Sequence, residues 1–164
     1  MTQSKPVIAA INGPAIGAGA TQLLSVDIRM ASDKASFSFP FVALGHLPEI
    51  GSTALLPRII GLGRALEICL TSGNVDAAEA LRIGLVTRVV PEAQLMDEAL
   101  TLANKIAAQP ALQAKLTKGM IYGNAVDAEP NVYIDREVQA FAVLNKARKE
   151  TPELTDIPSK TTES

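Results

Sequence analysis

Cysteine occurs once in these 164 residues, histidine once and tryptophan not at all. The lone Cys69 excludes an internal disulfide, and no Cys/His cluster exists to hold a metal, so the sequence predicts no metal centre and suits a reducing interior. Excess positive charge is also lacking. Against 15 Lys and Arg stand 17 Asp and Glu, a net charge of −2, and a pI near 5.4 leaves no basic footprint for nucleic acid. Long apolar runs are missing too, because Asn12, Gly13 and Pro14 interrupt the best candidate. The start Met1-Thr2-Gln3-Ser4-Lys5-Pro6 has no charged region followed by an apolar one. The expectation is no membrane partner and a cytoplasmic location.

What is present suits one globular α/β domain: 48% of residues are hydrophobic and 20% charged. Residues 7–11 form a continuous apolar run, expected of a strand covered on both faces, and Gly13-Pro14 ends it. Residues 28–31 and 35–39 read as two further strands, the second alternating Phe37 and Phe39 with Ser36 and Ser38. Ser52 is a candidate cap for a helix toward Ile60, with Pro57 predicting a kink or an early break. Residues 63–72 fit a helix closed by Gly73. Asp76-Ala77-Ala78-Glu79 has the form of a capping box opening a helix that Gly84 closes. Residues 85–90 read as a strand ended by Pro91. Beyond it the pattern is helical over 95–108, from Pro110 to 124, and over 132–149, ahead of a polar tail at 151–164 that is expected to fray.

Chemistry-bearing residues gather in two places. In Gly17-Ala18-Gly19-Ala20 a small-residue turn follows an apolar strand and opens a helix, an arrangement that aims unpaired N–H groups at negative charge. Close packing of helix on strand would also account for those small side chains. In Gly45-His46-Leu47-Pro48-Glu49-Ile50-Gly51-Ser52, Glu49 precedes a helix start, either as an acid or base or as a residue complementing the helix dipole. His46 stands nearby, but a lone histidine is more often a surface or packing residue. Cys69, between Ile68 and Leu70 on a helix, reads as buried and inert.

These segments together resemble the crotonase superfamily, the enoyl-CoA hydratases and isomerases. The resemblance rests on Lys5-Pro6-Val7-Ile8-Ala9-Ala10-Ile11-Asn12-Gly13-Pro14, on Gly17-Ala18-Gly19, and on Asp27-Ile28-Arg29-Met30-Ala31. Phe37-Ser38-Phe39-Pro40, Leu44-Gly45, Leu56-Pro57-Arg58 and the stretch 76–90 complete it. It implies the C-terminal part of a spiral ββα fold followed by a helical oligomerisation region. Residues 1–91 would be a partial core beginning where the family's domain is half built, 92–150 the helical region and 151–164 a flexible tail.

The resemblance also implies roles. The Ala18 backbone N–H would be one of two oxyanion donors to an acyl-CoA thioester, the upstream donor having no counterpart here. Gly17, Gly19, Thr21, Phe41 and Leu44 would line the substrate. The family's hydratases use two glutamates, and their matching positions here are Thr21 and Phe41, neither able to exchange a proton as a carboxylate does. Glu49 is similar in place to the single carboxylate of peroxisomal-type Δ3,Δ2-enoyl-CoA isomerases. In an apolar pocket of Phe41, Leu44 and Leu47, its basicity would rise. Coenzyme A would enter only as part of the substrate, with no separate cofactor, and the assembly would be a trimer or hexamer. Two other readings stay open: an enoyl-CoA hydratase, and a non-catalytic remnant serving as an oligomerisation or partner module.

Overall fold

Six short strands, seven α-helices and one 3₁₀ turn (Glu92–Gln94) are found in the described part of a computed structural model of the chain, residues 4–125 and 129–151. The fraying expected at 152–164 lies outside the described residues. Two compact units divide the chain, Val7–Thr101 and a second that joins Met1–Pro6 to Leu102–Ser164.

In the first unit the chain alternates between two sheets. Strand β1 (Ile8–Ile11) turns at Asn12-Gly13 into β2 (Pro14–Ile16), and helix α1 (Ala18–Leu23) follows. The pattern repeats with β3 (Ile28–Ser32) and β4 (Ser36–Ser38), then helices α2 (Ser52–Ile60) and α3 (Leu62–Thr71). The last round is β5 (Asn74–Asp76), α4 (Ala77–Arg82) and β6 (Arg88–Val90). One sheet is parallel in the order β1-β3-β6. The other has the order β2-β4-β5, parallel between β2 and β4 and antiparallel between β4 and β5. Each round therefore places strands in both sheets and buries their inner faces around Ile11, Ala15, Ala31, Phe37, Phe39 and Leu56.

The corner where the chain changes sheet is held by one hydroxyl. Ser32, fully buried, donates from Oγ to the Asn12 carbonyl at 3.0 Å and accepts from the Lys34 N–H at 3.1 Å. It thus ties both corners together. Beneath it, the buried Arg29 guanidinium donates to the carbonyls of Leu85 at 2.7 Å and Val26 at 2.9 Å. Buried carbonyls in the connections thereby find a charged donor.

Several elements depart from the sequence expectation. Strands β2 and β5 had no apolar alternation to announce them, since each buries a single residue, Ala15 and Val75. Helix α2 runs through Pro57 without ending, and the carbonyl four residues back belongs to Thr53, an exposed residue. Its N-cap is Gly51, not Ser52. Helix α3 closes on a left-handed Ser72 ahead of Gly73, and β6 spans three residues of the expected six. The capping box of α4 is half formed: Asp76 Oδ1 accepts the Glu79 N–H at 2.8 Å, but the Glu79 carboxylate turns to Arg82 in a bidentate pair at 2.6 Å. At its other end, Leu85 N–H reaches the Ala80 carbonyl and Gly84 N–H that of Leu81, a Schellman closure with Gly84 at φ 79°.

The second unit contains the end of α5 (Leu95–Ala107), α6 (Ala111–Asn124) and α7 (Pro130–Glu150). Pro110 is the N-cap of α6. Helices α6 and α7 pack as a hairpin in which the Arg136 guanidinium lies over Gly123, where a Cβ would come within 2.9 Å of it, and donates to Asn124 Oδ1 at 2.5 Å.

Asp76→Ala removes the α4 cap and should cost about 1 kcal/mol in urea unfolding. Ser32→Ala strips the Asn12 carbonyl and Lys34 N–H of their shared partner and should cost about 1–3 kcal/mol. The Arg82 guanidinium holds the Glu79 carboxyl below its ordinary value of 4.5. The small contribution of that exposed pair is therefore complete above that pH and is lost as pH falls through the folded-state value.

Candidate active site

The β2–β4 pair decides where the chemistry-bearing segments emerge. Because the two strands run parallel, with Ile16 opposite Ser38, both leave the sheet at the same edge. From β2 the chain enters the glycine turn; from β4 it enters the loop 39–51. A hydrogen bond from Gly17 N–H to the Ser38 carbonyl, 2.9 Å, fastens the start of the turn to the start of the loop.

Gly17 caps α1 at φ 56°, ψ −122°, a conformation that a side chain would strain. Thr21 N–H is the first to close a helical bond, onto Gly17 O at 3.0 Å. The N–H groups of Ala18, Gly19 and Ala20 precede it and have no helical carbonyl to meet. Ala18 and Gly19 are exposed. A Cβ built on Gly17 or Gly19 would find no atom within 4 Å, so close packing of helix on strand does not explain either glycine. Gly19 lowers the helix propensity of α1 and leaves its backbone open to whatever approaches.

Thr21 is fully buried, and its hydroxyl donates to the Ala18 carbonyl at 3.0 Å. It secures the helix start from inside. Phe41 is also buried, in the core cluster. The loop beyond it closes on its own backbone: Leu44 N–H bonds Pro40 and Phe41 carbonyls, Gly45 N–H bonds Val42, and His46 N–H bonds Phe41 at 2.7 Å. Ala43 N–H meets the Ser72 hydroxyl of the α3 cap at 3.3 Å. That anchor lies 29 residues away and has no signature in sequence.

Glu49 is exposed, as is His46, and no described residue pairs with either side chain. The apolar enclosure expected around Glu49 is not formed by this chain. Leu44 is 67% and Leu47 83% exposed, because the loop satisfies itself through backbone bonds and leaves these side chains outward. Val42 and Ile50 add to the exposed apolar surface. Cys69 is half-buried against the core, and burial raises its pKa from 9.0, in line with an unreactive thiol. Among the described residues no group of His, Cys, Asp and Glu could hold a metal ion, and no helix is long and apolar enough to cross a membrane.

The two-sheet arrangement that carries this edge is shared with solved enoyl-CoA hydratase/isomerase structures. The family model described as Enoyl-CoA hydratase/isomerase matches residues 1–153, and the chain belongs to that family. A short-chain-enoyl-CoA hydratase of Clostridium acetobutylicum is 47% identical over 117 residues, covering 71% of this chain and 45% of the relative. A putative-hydratase structure from Thermobifida fusca in complex with acetoacetyl-CoA superposes with a TM-score of 0.81 at 37% identity, over 85% of this chain and 55% of that one. A monofunctional enoyl CoA isomerase from M. smegmatis gives 0.72 at 41%, over 79% of this chain and 61% of that one. The chain spans about half the length of the curated relatives it matches.

The two glycines of the turn make opposite predictions. Gly17→Ala forces a side chain into a conformation that disfavours it and should destabilise by about 1–3 kcal/mol. Gly19→Ala, in a helix and in open space, should stabilise by about 0.5–1 kcal/mol. Urea unfolding of the two variants measures both.

Proposed function

We propose that the protein is an acyl-CoA enzyme that shifts the double bond of a 3-enoyl-CoA to the 2-position. The observation that supports this most is the pairing, on one strand edge, of an open run of helix-start N–H groups with a loop carrying a single unpaired carboxylate. In this reading the Glu49 carboxylate takes a proton from C2 of the substrate. The electron pair moves into a dienolate whose thioester oxygen is met by the Ala18 N–H. The same carboxylic acid then returns a proton at C4, so atoms and charge balance and one base suffices.

Water addition asks for more. It needs one group to activate water and one to protonate carbon, and the positions where related hydratases carry those glutamates hold the buried Thr21 and Phe41. The hydratase reading draws its support from the names of most of the curated relatives, the clostridial one at 47% identity among them. Gly17 and Gly19 give the thioester access to the backbone, Leu44 is an exposed apolar contact for the acyl chain, and coenzyme A arrives as part of the substrate. The bound acetoacetyl-CoA of the Thermobifida structure supports the thioester assignment.

Assembly as a trimer or hexamer is part of this proposal. Helix α7 exposes Val132, Ile134, Val138, Phe141 and Val143 along its length, more apolar surface than one isolated helix face ordinarily leaves in water. Light scattering should give three or six times the mass of the single chain. A stable monomer at micromolar concentration would count against it.

Glu49→Gln keeps the size of the side chain and removes its basicity, and should lower isomerisation about 10²-fold or more. His46→Ala should change little. Gly19→Ala should weaken turnover while stabilising the fold. Both reactions are measured on the wild type and these variants: hydration as fast as isomerisation, or full isomerase activity in Glu49→Gln, overturns the assignment.

A further inference from the structure

Among the described residues, two that are not glycine have positive φ, Ile50 and Ser72, both at 55°. Ser72 has an ordinary reason, because it is the left-handed cap that ends α3. Ile50 does not. It is β-branched, and the left-handed region crowds its Cβ against the following carbonyl. Its neighbour Gly51 is also left-handed, at φ 74°, and Ser52 N–H bonds the Glu49 carbonyl at 3.0 Å across them. Residues 49–52 thus form a turn with both central φ values positive, the type I′ pattern, whose first central position normally takes Asn, Asp or Gly.

The surroundings hold this turn against local preference. The Gly51 carbonyl accepts from Ala54 and Leu55 at 3.1 and 3.0 Å, locking the turn to the first turn of α2. Upstream, the loop is closed by its own backbone bonds and by the Ser72 hydroxyl. The next residue, Ser52, is buried with a hydroxyl that finds no partner among the described residues, a second local cost within the same four residues. Conformations this unfavourable persist where the surrounding structure over-determines them, and they gather at functional sites.

We infer that Ile50 is a positioning residue for Glu49: its enforced left-handed turn fixes the direction in which the carboxylate leaves the loop. The inference rests on the reading of Glu49 as the base. For isoleucine the low-energy alternatives are extended or right-handed helical backbone, and either would re-aim the segment that carries the carboxylate. Glycine at this position opens conformations of both hands, so Glu49 would sample several directions. Asparagine tolerates the left-handed region and preserves the turn.

The test compares Ile50→Gly, Ile50→Asn and Glu49→Gln in the full chain, assayed with a 3-enoyl-CoA. In Ile50→Gly kcat should fall about tenfold or more, with KM within about twofold and a melting temperature no lower than wild type, since the strain is relieved. Ile50→Asn should keep the wild-type kcat. Wild-type kcat in Ile50→Gly, alongside lost activity in Glu49→Gln, overturns this inference alone; full activity in Glu49→Gln overturns the base assignment beneath it. A second readout needs no turnover: the Glu49 Cα–Hα and Ile50 N–H residual dipolar couplings measured by NMR should fit one rigid loop orientation in the wild type and Ile50→Asn, and be reduced by averaging in Ile50→Gly. Averaging already present in the wild type overturns the inference.

Discussion

Everything at the candidate site depends on the parallel pairing of β2 with β4 and on the bond from Gly17 N–H to the Ser38 carbonyl that ends it. Parallel strands deliver their connections to one edge, so the glycine turn and the loop bearing Glu49 start side by side although more than twenty residues separate them. Had the pair been antiparallel, the turn and the loop would leave at opposite edges. The pairing is short, three residues on each strand, and its permanence comes from what lies behind it. Phe37 and Phe39 fill the core beneath, and the Ser32 hydroxyl clamps the corners through which both strands are reached.

Across this edge, backbone and side chain divide the work. The turn offers N–H groups because its residues have little else: Gly17 for its backbone angle, Ala18 and Gly19 for openness. Thr21, where the resemblance places a hydratase glutamate, faces inward and bonds the helix that supports those groups. The loop offers one carboxylate on a backbone tied down at both ends. In the proposed reading, the turn would stabilise negative charge and the loop would exchange a single proton, a division that suits double-bond migration better than hydration.

The glycine turn, helix α1, the strand at 35–39 and the late helices were legible in the sequence because composition and periodicity state them directly. Strands β2 and β5 were not, since each has one inward residue and is defined by its neighbour's register. The early break that Pro57 suggested does not occur: a proline forfeits one backbone bond, and where the stranded carbonyl belongs to an exposed residue the helix continues. The positions of Ala18 and Glu49 in the chain were readable, but the surroundings of Glu49 were not. Apolar neighbours in sequence, Leu44 and Leu47, suggested an enclosure, whereas the loop folds on its backbone and leaves them exposed. The left-handed Ile50 and the anchoring Ser72 hydroxyl are products of tertiary closure, with no local pattern to betray them.

In the proposed reaction the start of α1 receives the thioester oxygen. Amide NMR of the protein titrated with acetoacetyl-CoA, whose enolate form places negative charge on that oxygen, tests this most directly. The Ala18 N–H resonance should move downfield by more than any other amide of α1, and Gly19→Ala should diminish the shift. An Ala18 resonance that stays in place while others move would place the thioester oxygen elsewhere.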